Sequence, residues 1–141
     1  MSTHAEDLKF RLMTIELLRT AKKRYTYREL STKTGLPVTV LSRYAKGHVL
    51  PNAERARQLW KTLTKLVGLE AELRRRIQFN EEGYFDNTGI IGDFNIVRQA
   101  SHHALATFAG KRVTKVLTAA TDGIPLATMV ANSLGVNLVI A

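Results

Sequence analysis

The residues best suited to bind another molecule fall in two short stretches. In the first, Thr26–Leu50, the second of two short expected helices has a polar face of Thr39, Ser42, Arg43 and Lys46. Hydroxyl, guanidinium and ammonium donors of this kind suit anionic or acceptor-rich partners. The second is the loop Thr121-Asp-Gly-Ile-Pro125, placed between an expected strand and an expected helix. A glycine-containing loop that enters a helix N-terminus can offer backbone N–H groups to a phosphate. By itself that pattern is weak, because glycine at such a corner often only makes the turn. No catalytic constellation accompanies either stretch. The chain has no cysteine, and His102 and His103 are neighbours, so they point to different faces and lack the spacing of paired metal ligands. No catalytic residue, metal site or resident cofactor is expected.

The elements that must position the first group are written locally. Thr26 followed by Glu29 is a capping box, which starts a helix running to about Thr34. Gly35 then supplies the left-handed corner, and Pro37 fits the first turn of the next helix. Leu30, Leu36, Leu41 and Tyr44 provide apolar contacts between the two helices, Ser31 is small enough for close approach, and Gly47 closes the pair. Before it, residues 5–23 read as an amphipathic helix with Leu8, Leu12, Ile15 and Leu18 at helical spacing, packed behind the pair. Lys22-Lys-Arg24 ends that helix, either compensating its dipole or adding a phosphate contact. After it, Asn52 caps a helix whose stripe is Ala56, Leu59, Trp60, Leu63, Leu66 and Val67, with Trp60 in the core. A further helix over roughly 70–79 carries Arg74-Arg-Arg76, read as a solvated surface or, less often, a contact to DNA.

Charge divides the chain. The formal net charge is +9, yet residues 1–80 hold 17 Lys/Arg against 7 Asp/Glu, while residues 81–141 hold 4 against 5. All the excess positive charge therefore travels with the helix pair, as phosphate binding requires. The step also places a domain boundary near residue 80. With 45% hydrophobic and 23% charged residues the chain reads as folded, and it lacks a run of about 18 apolar residues that would span a membrane. The absence of cysteine and of an evident signal peptide favours a cytoplasmic location.

Residues 81–92 are rich in turn formers and read as an irregular hood or short hairpin. Asp93 caps a helix through about Ala109, burying Ile96, Val97, Ala100, Ala104, Leu105 and Phe108. Residues 113–120 read as a strand, Leu126–Leu134 as a helix closed by Gly135, and 136–141 as a second strand. Such a β-loop-α-β unit implies a parallel pair with the loop at the strand's C-terminal edge.

Two resemblances sharpen this picture. Leu30-Ser-Thr-Lys-Thr-Gly35 with Leu41-Ser-Arg-Tyr-Ala-Lys-Gly47 resembles the helix-turn-helix of the phage repressor and Cro class. It implies that Val38, Thr39, Ser42 and Arg43 face the major groove of double-stranded DNA, with Arg43 the candidate for a bidentate guanine contact and Lys46 beside them. Val113-Thr-Lys-Val-Leu-Thr118, Asp122-Gly-Ile-Pro-Leu-Ala127 and Leu134-Gly-Val136 resemble the opening of a type I phosphoribosyltransferase domain, over about residues 84–141. Carried over, this sets Ala120, Thr121, Asp122 and Gly123 at the pyrophosphate of phosphoribosyl pyrophosphate or another phosphorylated effector. The family's acidic pair and Thr/Gly loop, which hold the ribose 5-phosphate, are missing before Ala141, so a truncated domain is expected.

The expected fold is thus a mainly α, repressor/Cro-like helix-turn-helix domain over 1–80, followed by the α/β start of a phosphoribosyltransferase-like domain over 81–141. That plan resembles the archaeal regulators of sugar catabolism that are orotate phosphoribosyltransferase-like. It implies a homodimeric transcriptional regulator that binds a small phosphorylated effector. The alternatives are an active phosphoribosyltransferase of orotate or purine type with an accessory N-terminal domain, and an interaction module for RNA or an acidic protein.

Overall fold

Local signals start most of the helices in the computed structural model, which describes residues 3–141. Helix α1, His4–Lys22, opens on a reciprocal capping box in which Thr3 and Glu6 satisfy each other's backbone N–H. Helix α2, Tyr27–Thr34, opens on the expected box between Thr26 and Glu29 and ends at Gly35, whose φ of 72° lies in the left-handed region. Helix α3, Val38–Ala45, follows at once, with Pro37 at its N-cap rather than inside its first turn. Helix α4, Ala53–Val67, is capped by the Asn52 side chain, which accepts the Arg55 N–H at 2.8 Å. Helix α5, Leu69–Arg76, stops three residues short of the expected end. Among the described residues the chain is mainly helical, with one small two-stranded parallel sheet.

The chain divides into two compact units, one ending at Ala71 and the other beginning at Glu72. The first has a single apolar core, built by Leu17, Leu18 and Ala21 of α1, Leu30 of α2, Leu41 and Tyr44 of α3, and Leu59, Leu63 and Val67 of α4. The buried stripe of α1 differs from the expected one. Leu8 and Leu12 are exposed, while Thr14 and Thr20 are buried among Ile15, Leu17, Leu18 and Ala21. Both threonines return their hydroxyl to the carbonyl one turn back, Thr14 to Phe10 at 2.9 Å and Thr20 to Glu16 at 3.1 Å. A threonine so satisfied presents its methyl to the core and packs as an apolar residue. Trp60 flanks the core instead of filling it, half-buried with its ring 5.3 Å from that of Phe10.

The second unit builds helix α6, Thr88–Ile91, and helix α7, Phe94–Phe108, before strand β1, Lys115–Thr118, helix α8, Ile124–Leu134, and strand β2, Asn137–Ile140. The strands pair in parallel with Lys115 opposite Asn137 and Thr118 opposite Ile140. Helix α8 packs on both strands and on α7, burying Ala127 and Ala131. Asp93 caps α7 as expected, accepting from the backbone N–H groups of Asn95 and Ile96. Phe108 does not join the buried side of α7 but lies exposed. Arg76, at the end of α5, donates to Gly89 O at 2.8 Å and meets Asp93 at 2.6 Å, tying α5 to the turn before α7.

Two substitutions separate corner from core. Trp60 is the chain's one tryptophan, so its fluorescence follows the first unit. Leu41→Ala, which truncates a fully buried side chain, should destabilise that unit by about 2–5 kcal/mol in urea titrations. Gly35→Ala should cost about 1–2 kcal/mol from the backbone alone, because a Cβ there would meet nothing within 4 Å.

Candidate nucleic-acid interface

The two sides of α3 are sharply divided. At about 100° per residue, Val38, Thr39, Ser42, Arg43 and Lys46 fall within about 140° of the helix circumference. Val38, Thr39, Arg43 and Lys46 are exposed and Ser42 is half-buried. The opposite arc holds Leu41 and Tyr44, both buried in the core, with Val40 and Ala45 packed beside them. All five residues expected to form the site therefore lie on one helical face, away from the arc that enters the core. From Leu30 to Ala53 the sequence contains no Asp or Glu, so no carboxylate from this stretch neutralises Arg43 or Lys46.

What holds α3 in place comes from both of its ends. At the start, Gly35 donates its N–H to Ser31 O at 2.9 Å and turns the chain, and the Thr34 side chain accepts the Leu36 N–H at 3.3 Å. At the far end, Gly47 takes a φ of 77° and donates to Tyr44 O, and His48 donates to Arg43 O. Two arginines of α1, neither assigned from sequence, then grip the segment that leaves the helix. Arg19 Nε donates to Ala45 O at 2.7 Å, and Arg11 Nε donates to Pro51 O at 2.6 Å. They stand eight residues apart, a little over two turns, and so lie on one side of α1. Each partner is 26 or 40 residues away in the chain, which is why no local pattern announced them. Of the Lys22-Lys-Arg24 triplet, Lys22 sits with its Nζ 4.6 Å from the centre of the Tyr27 ring.

Glu29 anchors the start of α2 and thereby the corner. Its carboxylate accepts from the Thr26 backbone N–H at 2.7 Å and from the Thr26 hydroxyl at 3.0 Å. These bonds hold its pKa below the ordinary carboxylate value, the Thr26 backbone bond first, the hydroxyl second, with smaller help from Lys33 and Lys22. Asp86 in the second unit is lowered in the same way by hydrogen bonding to Thr88.

The second expected group, Ala120, Thr121, Asp122 and Gly123, lies exposed in the loop between β1 and α8, at the C-terminal end of β1. It belongs to the second unit, whereas the α3 residues belong to the first. Thr121 O accepts the Ile124 N–H at 3.2 Å, and Asp122 faces Thr121 Oγ1 at 3.4 Å and Asn87 Nδ2 at 3.5 Å. Gly123 has an ordinary φ of −78° and caps α8 without a side-chain bond. A Cβ there would meet the Thr118 hydroxyl, which would have to turn away to make room. His102 is half-buried and His103 exposed, and among the described residues no cluster of His, Cys, Asp and Glu could hold a metal ion. No helix among the described residues is long and apolar enough to cross a membrane. Comparisons with protein-family models, curated proteins and solved structures give no match to this chain.

The capping box makes the corner sensitive to acid. A carboxylate whose folded pKa lies below its unfolded one stabilises the fold above the unfolded pKa and loses that contribution as pH falls through the folded value. Amide hydrogen exchange in α2 should therefore hold steady from neutral pH down to the ordinary carboxylate range and accelerate below it, after correction for the intrinsic rate. In Glu29→Ala the acceleration should be present at neutral pH.

Proposed function

We propose that the chain is a sequence-specific, double-stranded-DNA-binding transcriptional regulator of the helix-turn-helix kind. The observation that carries this reading is the division of α3: one arc sealed in the core, the other presenting Thr39, Ser42, Arg43 and Lys46 in a stretch of 24 residues without an acid. A helix about 10–12 Å across matches the major groove, where guanidinium donors pair with guanine O6 and N7 and hydroxyls with several base edges. Arg43 would read a guanine, Thr39 and Ser42 would reach adjacent edges, Val38 would pack against a thymine methyl, and Lys46 would meet the phosphate backbone. The cationic excess before residue 80 supports the same partner, because neutralising phosphates drives association.

The second unit then serves as a phosphoribosyltransferase-like sensor of a small phosphorylated effector. Its support is the exposed loop 120–123, which follows a parallel strand and enters α8 at an end left without a side-chain cap. Phosphoribosyl pyrophosphate fits the same chemistry. A homodimer would present two copies of α3 to a two-fold operator, and an effector would regulate only by favouring one arrangement of those copies over another.

Selection of bound sequences from a random duplex pool supplies the operator against which this is measured. Arg43→Ala should then lose about 1–3 kcal/mol of affinity on the selected site and relax the preference at one base position. Unchanged affinity and preference would overturn the assignment of α3.

A further inference from the structure

We propose that Arg19, on α1, is a pre-positioned contact to a DNA backbone phosphate, an addition to the face that α3 presents. The inference rests on the reading of the first unit as a duplex-DNA-binding module. The two arginines that grip the end of α3 and the segment after it differ in whether their charge is paired. Arg11 is half-buried, and its guanidinium is shared with Asp7, one turn earlier, at 3.7 Å. That pairing leaves Arg11 a strut. Arg19 is exposed, and among the described residues no carboxylate pairs with it. Its Nε is spent on the Ala45 carbonyl, a neutral group, at 2.7 Å.

That single bond fixes the plane and direction of the guanidinium while leaving its terminal amino groups to bind elsewhere. Five N–H donors in a fixed fork suit a phosphate, and the fork remains charged at any working pH. The location is equally specific. A Cβ added to Gly47 would stand 3.4 Å from Arg19 Nη2, so that terminal nitrogen lies beside the turn that directly follows Lys46. Arg19 therefore projects beside the C-terminal end of α3, next to the residue expected to meet the backbone. A lysine, whose three N–H donors share one rotating nitrogen, would deliver charge there without a fixed fork held by a separate tether. Phosphate contacts of this type set register and orientation and carry no base preference. In this way the hydrogen bond that holds α3 to α1 and the contact that seats α3 in the groove belong to one side chain.

The test uses the full chain and a random-sequence duplex, so no operator is needed. Binding is followed by fluorescence anisotropy between about 50 and 200 mM salt for wild type, Arg19→Gln, Arg19→Lys and Arg11→Gln, with thermal unfolding recorded for each. Loss of one phosphate contact should lower the slope of log affinity against log salt by about 0.9, so that Arg19→Gln loses about threefold less affinity across that range than wild type. The loss at low salt should be the same on any sequence. Arg19→Lys should recover most of the slope, and Arg11→Gln should keep all of it while melting earlier. A wild-type slope in Arg19→Gln and Arg19→Lys, whatever their melting temperatures, would reduce Arg19 to a strut like Arg11 and overturn this inference alone. Failure of wild type to bind any duplex would overturn the reading of the first unit itself.

Discussion

The first unit depends on the burial of one side of α3. Leu41 and Tyr44 sink into the core made by α1, α2 and α4, and they do so on a helix of only eight residues. A helix this short is marginal by itself, so its pose is a property of packing rather than of its own hydrogen bonds. The left-handed corner at Gly35 brings Leu30 and Leu41 into the same core from two helices. Once those side chains are fixed, the orientation of the remaining arc follows, and with it the placement of Thr39, Ser42, Arg43 and Lys46.

Charge gives that arc its chemistry. An exposed apolar or mixed arc would equally follow from the packing. Here the two cations, Arg43 and Lys46, sit in an acid-free stretch, and Arg19 adds a third beside the helix end. Three arginines of α1 and α5 are paired with carboxylates: Arg11 with Asp7, Arg75 with Glu72, Arg76 with Asp93. The paired arginines, on the proposed reading, hold the fold, and Arg43 and Arg19 act on the partner. On the proposed reading, the same core that steadies α3 also fixes the distance over which its cations can meet a nucleic acid.

Much of this was legible in the sequence because it is local. The Thr26–Glu29 box, the Gly35 corner, and the Asn52 and Asp93 caps each join groups two to four residues apart, within the reach of a pattern. The parallel β1–β2 pair was also legible, from two short apolar runs flanking a helix. What escaped was non-local or chemically disguised. Thr14 and Thr20 pack as apolar residues because their hydroxyls fold back on α1, so the expected stripe of α1 held Ile15 and Leu18 correctly but included the exposed Leu8 and Leu12 and left out the two threonines. Arg11 and Arg19 bind carbonyls that no periodicity relates to them. Phe108 and Leu117 lie on apolar patterns yet are exposed, since pattern says which face a residue takes and not what covers that face.

The most direct measurement of the central claim is amide chemical-shift mapping of the whole chain titrated with a short DNA duplex. The account predicts that the largest changes run along the exposed arc of α3, at Thr39, Arg43 and Lys46, with the buried positions Leu41 and Tyr44 moving less and the changes fading as salt is raised. Changes confined to Arg74, Arg75 and Arg76, with the α3 amides unmoved at saturation, would contradict it.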